Sequence, residues 1–195
     1  MKKISLLDKF RLTDLFLQGM VSMVMDQAID ATGKDSVMQD GRYFEFSDGE
    51  RVHCRYAVGD ALPVMMSYGK AGLDYKVFGN TRGWQDKKSA DAVYMPHKLV
   101  VESVRCVRVQ DLTEEDALRT GLHRNHGGYY MVGGACGGAD PNWKVMFSRF
   151  FDMLFGKPYA LNPWVIVYEM KPVIVGRVVL SGTEFVVERG CYENS

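Results

Sequence analysis

Strand-like stretches outnumber helical ones in this chain, and the two kinds do not alternate, which limits the fold more sharply than any other feature. Arg42–Phe46 and Arg51–Ala57 alternate apolar and polar residues around Ser47-Asp48-Gly49-Glu50, the pattern of a hairpin. Lys98–Val109 gathers Val100, Val101, Val104, Val107 and Val109 into one long β-branched strand. Lys3–Leu7, Met20–Met25, Ala61–Tyr68 and Trp164–Met170 read as further strands, and Val173–Val187 as a last hairpin turning at Ser181-Gly182. Helical signals are confined to fewer places. Asp8 or Thr13 can cap a short helix through Phe10, Leu15, Phe16 and Leu17 that stops at Gly19. Thr113 opens another, with Glu114, Glu115 and Asp116 complementing the exposed N–H groups of its first turn, and Gly121 stops it. Trp143, Met146, Phe147, Phe150, Phe151 and Leu154 recur at helical spacing up to Gly156. A doubly wound parallel sheet needs strands and helices in turn, so the expected class is α+β, a mixed β-barrel with a few covering helices.

The chain has 195 residues, 47% of them hydrophobic, enough for a single domain over 1–195 without a disulfide or a metal to hold it. No repeat or linker divides it. The stretches 69–93 and 121–141 mix glycine and charge without a period and are expected to be inserted loops. Residues 174–195 are expected to add a C-terminal hairpin whose edge could pair with a second copy in a homodimer. Lys and Arg number 24, as do Asp and Glu. That balance argues against strong, sequence-independent nucleic-acid binding but leaves room for a local basic patch or a groove taking one nucleotide. Cys54, Cys106, Cys136 and Cys191 form no Cys-x-x-Cys pair, and the first ten residues are not a secretory signal. Reduced thiols in a cytoplasmic protein, away from membranes, are the expectation.

Residue chemistry alone offers no reaction. His123 and His126 with Cys136 match no zinc spacing, so a solvated loop is the simpler reading and no metal is expected. His53 and His97 read as structural. The glycine-rich loop lacks the Lys-Ser/Thr of a phosphate cradle, no Gly-x-Ser-x-Gly is present, and Cys106 lies inside a valine-rich strand as packing. Trp143, Phe147, Phe150 and Phe151 read as core, since stacking platforms sit on exposed strands or loops. No cofactor is implied.

Several stretches in a fixed order nevertheless carry a resemblance. They are Leu17-Gln18-Gly19 before a strand; Tyr56-Ala57-Val58-Gly59-Asp60-Ala61-Leu62; Met95-Pro96-His97; the block from Val107 to Ala117; Phe147 and Phe151; and Asn162-Pro163-Trp164-Val165. The order resembles phage- and prophage-type ASCH proteins of the PUA-like superfamily, from about Lys3 to Val173. The block 107–117 and the Asn-Pro-Trp strand are its most specific parts. The resemblance implies a small β-barrel with a groove facing RNA, a nucleotide or a modified nucleoside, and in some members amidohydrolase activity on acylated cytidine. Those members place a lysine and a threonine after the first helix and a glutamate at the end of the helix that follows the Asp-Leu-Thr turn.

This chain departs from that pattern at every reactive position. The lysine position is Val21, the two threonines are Ser22 and Val24, the following arginine is Met25, and the glutamate is Thr120. Where many phage relatives carry Arg-Glu, this chain has Met65 and Met66. Valine has no ionisable group and a threonine hydroxyl does not titrate near neutrality, so neither can replace a lysine or a proton-transferring glutamate. The resulting expectation is a non-enzymatic domain that binds RNA or a nucleotide-like ligand weakly in a groove, with Ser22, Arg55, Tyr68, His97 and Thr120 as groove candidates. Two alternatives stand beside it. One is a protein-interaction or phage-assembly factor, suggested by neutral charge and 12 methionines. The other is an amidohydrolase on modified nucleosides with relocated groups, Ser22 with His97 or His53.

Overall fold

The structure, a computed structural model, describes residues 4–5, 21–29, 36–39, 42–47, 49–65, 95, 97–132, 138–174, 178–181 and 184–187. In chain order the described elements are β1 (Ile4–Ser5), β2 (Met23–Ile29), β3 (Ser36–Gln39), β4 (Tyr43–Phe46), β5 (Arg51–His53), β6 (Ala61–Met65), β7 (His97–Arg108), a 3₁₀ turn (Val109–Asp111), α1 (Glu114–Arg119), β8 (His123–Arg124), β9 (Tyr130–Met131), α2 (Trp143–Phe155), a second 3₁₀ turn (Tyr159–Leu161), β10 (Trp164–Ile174), β11 (Val178–Ser181) and β12 (Glu184–Val187). The chain divides into two compact bodies, Met1–Leu6 with Ala61–Val100 and Lys171–Ser195, and Leu7–Asp60 with Val101–Met170.

In the first body β6 pairs in parallel with β1, Ile4 opposite Val64, and antiparallel with the start of β7, Leu62 opposite Leu99. Leu62, Val64 and Leu99 are fully buried. β11 and β12 form an antiparallel hairpin closed by the pair Ser181–Glu184.

The second body is built on β10, which lies between β2 and β7. β10 runs antiparallel to β2 from Trp164 opposite Ile29 to Glu169 opposite Met23, with a bulge between Val165 and Ile166. All side chains from Trp164 to Tyr168 are buried, as a central strand covered on both faces requires. β3, β4 and β5 form a separate antiparallel sheet. Its inward Phe46 meets Trp164 edge-on, ring centroids 5.4 Å apart, and Tyr56 meets Tyr168 likewise at 5.1 Å.

Local chemistry sets the helix ends. Thr113 Oγ1 accepts from Asp116 N and Asp116 Oδ2 from Thr113 N, a reciprocal cap that starts α1. Asn142 Oδ1 accepts from Lys144 N to start α2, and Gly156 ends it in the left-handed region at φ 65°. Met146, Phe147, Phe150 and Phe151 form the buried stripe of α2, which packs on α1, on β9 and on the second 3₁₀ turn. A tight corner then joins β7 to β10. Asn162 adopts φ 49°; its Oδ1 accepts from Gln110 N, its carbonyl accepts from Arg108 Nη1, Val109 N donates to Pro163 O, and the Arg108 guanidinium lies 4.6 Å from the Trp164 ring centre.

A mixed α+β architecture with mostly antiparallel pairing is therefore present. Among the described residues no sheet closes into a barrel, because β3, β4 and β5 pair with one another and not with β2 or β10. The expected strand Met20–Met25 begins at Met23 and runs on to Ile29, since Val21 and Ser22 are engaged by the end of α1. β5 stops at His53, short of Ala57, and β10 continues past Met170, so the last hairpin starts at Val178. The stretch 121–141 is more than a loop. β8 and β9 pair across a turn with Gly128 at φ 83°, Tyr130 bridges Asp140, and its hydroxyl donates to Glu114 Oε1. Gly128 supplies turn geometry beside a buried tyrosine. The expected first helix (8–19), the insert 69–93, Met66 and Tyr68 lie outside the described residues.

Chemical denaturation should rank two substitutions. Phe151→Ala opens a cavity in the α2 stripe and is expected to cost about 3–5 kcal/mol, whereas Thr113→Ala removes one cap and should cost about 1 kcal/mol. Equal effects would contradict this view of the core.

Candidate functional site

The positions that the resemblance marks for chemistry meet where α1 ends and β2 begins. Val21 and Thr120 form an isolated antiparallel bridge, 2% and 4% exposed. The Thr120 hydroxyl donates to Ala117 O at 2.7 Å, so it closes its own helix and does not face a ligand. Met25 is buried, Val24 half-buried, and Met65 is buried within the first body. Nothing at Val21, Val24, Met25 or Thr120 can exchange a proton near neutral pH.

Polar chemistry begins one residue away. Ser22 N donates to Arg119 O at 3.0 Å, Ser22 O accepts from Met170 N at 2.8 Å, and Ser22 Oγ accepts from Arg119 Nε at 3.1 Å. Arg119 Nη1 lies 3.7 Å from Glu169 Oε1, which Arg105 Nε approaches at 3.4 Å without hydrogen-bond alignment. Arg105 Nη2 donates to Asp116 Oδ1 at 2.5 Å and lies 3.8 Å from Met23 Sδ. β7, α1 and β10 thus hold two guanidiniums against two carboxylates, each about a third exposed except the more buried Asp116. The formal charges cancel, so an anion would enter only by displacing a carboxylate. The Ser22 hydroxyl accepts from a guanidinium, which only donates and so offers it no base. The sequence placed Asp116 in the first turn of α1 but singled out none of Arg105, Arg119 and Glu169. The one local signal was Arg105, a charge interrupting a valine-rich strand.

Arg55 belongs elsewhere. Tyr168 and Glu169 are consecutive in β10 and project to opposite faces. Arg55 N donates to Tyr168 Oη at 2.9 Å, while Arg105 and Arg119 gather at Glu169. Ser22 and Thr120 therefore share one end of the sheet, and Arg55 does not join them in one groove. The Arg55 guanidinium lies 5.4 Å from the Tyr56 ring centre and 4.0 Å from Asp26 Oδ1, with its side chain 65% exposed. His97 lies in the first body, where burial lowers its pKa. His53 is exposed on β5. Cys54 and Cys106 are half-buried, and burial raises the Cys54 thiol, keeping it protonated at neutral pH. His123 is half-buried, His126 is exposed, and Cys136 lies outside the described residues. Among the described residues no cluster of His, Cys, Asp and Glu could hold a metal ion, and no helix is long and apolar enough to cross a membrane.

Comparison of the chain with family models, with curated proteins and with solved structures found no match.

Burial raises the phenols of Tyr168, Tyr56 and Tyr159 above the ordinary value of 10.0. The folded state therefore keeps protons that the unfolded chain gives up. Stability from these groups is complete below about pH 10 and falls as pH rises toward the folded values. Unfolding midpoints measured from pH 8 to 11.5 should decline above pH 10. Tyr168→Phe should lower stability at pH 8 by about 1 kcal/mol and make the alkaline decline shallower. An unchanged slope would contradict the burial argument.

Proposed function

We propose that this chain is a phage-type ASCH domain of the PUA-like superfamily that binds nucleic acid, RNA foremost, or a nucleotide-like ligand weakly, and that has lost the family's hydrolytic reaction. The observation that carries the reading is the Val21–Thr120 bridge. The resemblance assigns a lysine and a glutamate to these positions, which lie 99 residues apart in sequence. Their contact is what one catalytic site would require, and their replacement by buried, non-titrating side chains leaves that site without acid or base. A second support is the corner at Asn162. The most specific stretches of the resemblance, 107–117 and Asn162-Pro163-Trp164, hold each other through Arg108, Val109 and Gln110. Weak binding follows from the charge: the chain is neutral overall and the arginines beside Ser22 are already matched by carboxylates.

The test is fluorescence anisotropy with a short single-stranded RNA. A Kd of about 1–100 μM at low salt is expected. It should weaken roughly 20-fold between 50 and 200 mM salt if about three phosphates are contacted. The same protein should leave N-acylated cytidine intact at high enzyme concentration. Absence of binding at the lowest salt, or turnover of the acylated nucleoside, would contradict the proposal.

A further inference from the structure

The outward face of the β4–β5 hairpin carries rings and charges in contact. Register places Tyr43 opposite His53 and Glu45 opposite Arg51 on one face, with Phe44 opposite Val52 on the other. Phe44 is buried and Val52 half-buried, so that second face is the inward one. The outward face carries paired rings, with Tyr43 and His53 centroids 5.4 Å apart and their planes 55° to one another, His53 being exposed. The Arg51 guanidinium lies 5.3 Å from the Tyr43 ring centre while its Nε and Nη2 both donate to Glu45 Oε1, at 3.0 and 2.9 Å. Glu50 lies at its turn, and the exposed Arg42 and Arg55 stand next to the ring pair in sequence at its open end, the Arg55 guanidinium lying over the Tyr56 ring.

We infer that the Tyr43–His53 pair is a base-stacking platform for single-stranded nucleic acid, with Arg42 and Arg55 taking the flanking phosphates and Glu45 holding Arg51 in check. This rests on the nucleic-acid reading above and moves the contact from the filled catalytic position to the outer face of the hairpin. Exposed rings on a strand accept any base, because every base has a π-face, and neighbouring guanidiniums add cation–π and phosphate contacts. A duplex, whose bases are already stacked on one another, offers the platform little. Glu45 provides an internal control. It neutralises Arg51 through two hydrogen bonds, so its loss frees a cation beside the rings and removes a charge that repels phosphate.

The experiment measures anisotropy of a fluorescein-labelled 12-nucleotide oligouridylate, and of a duplex of equal length, with the full chain and its variants. Tyr43→Ala and His53→Ala should each weaken single-strand binding about 10-fold, and Tyr43→Phe should retain it. Glu45→Gln should tighten it a few-fold, and Arg42→Gln with Arg55→Gln should flatten the salt dependence. These side chains lie outside the buried core, and His53→Ala keeps the test open should Tyr43→Ala lower stability. Wild-type binding that is unchanged in the alanine variants, or duplex binding as tight as single-strand binding, would overturn the platform and leave the broader nucleic-acid reading standing. No wild-type binding at low salt would overturn both.

Discussion

From Trp164 to Tyr168, β10 has no side facing solvent, and the second body is arranged around that fact. A strand flanked by β2 and β7 satisfies its backbone laterally, but it must be roofed on both faces by apolar surface. The β4–β5 hairpin contributes Phe46 against Trp164 on one face. On the other, the row of side chains reaches Glu169, where burial relaxes and Arg105 and Arg119 supply the charges that a half-buried carboxylate needs. The Asn162 corner fixes where β10 begins, through hydrogen bonds to the chain leaving β7. The ionic cluster, the Ser22 junction and the outward ring pair all take their positions from this one strand.

What the sequence made legible is what local signals encode. The bounds of α2 follow from the aromatic stripe between Asn142 and Gly156, α1 from its Thr113 cap, and β7 from its β-branched run. The β4–β5 hairpin was readable from alternation around a turn. β3 was not, because Ser36–Gln39 carries only Val37 and Met38 as apolar residues and has no alternation to count. β8 and β9 were hidden because each is two residues long and glycine surrounds them. The expectation of a barrel was drawn from the excess of strands over helices and from the resemblance, whereas closure depends on which edges pair, and the separate β3–β5 sheet is a tertiary choice that no local pattern announces. The same holds for the cluster of Arg105, Asp116, Arg119 and Glu169, whose members come from three elements. His53 is exposed, a placement that alternation alone does not give, because it does not say which face of a hairpin points outward.

Charge accounting ties these features to function. At the positions that the resemblance would assign to catalysis stand hydrocarbon side chains and a self-satisfied hydroxyl, which favour packing over proton transfer. The nearest arginines are neutralised by carboxylates, so the sheet end near Ser22 has little pull on phosphate. Cations with more exposed heads, at Arg51 and Arg55, lie on or beside the hairpin, next to rings. The proposed binding would therefore draw its strength from stacking more than from phosphate contacts.

The most direct test of this account is an amide chemical-shift map of the ¹⁵N-labelled protein titrated with a short single-stranded RNA. The account predicts that shifts concentrate between Arg42 and Arg55 and leave Val21, Ser22 and Thr120 in place. Shifts centred on Val21 and Thr120 would mean that ligand binds at the junction of α1 and β2 instead, and a spectrum that does not change at millimolar RNA would remove nucleic acid from the protein's function.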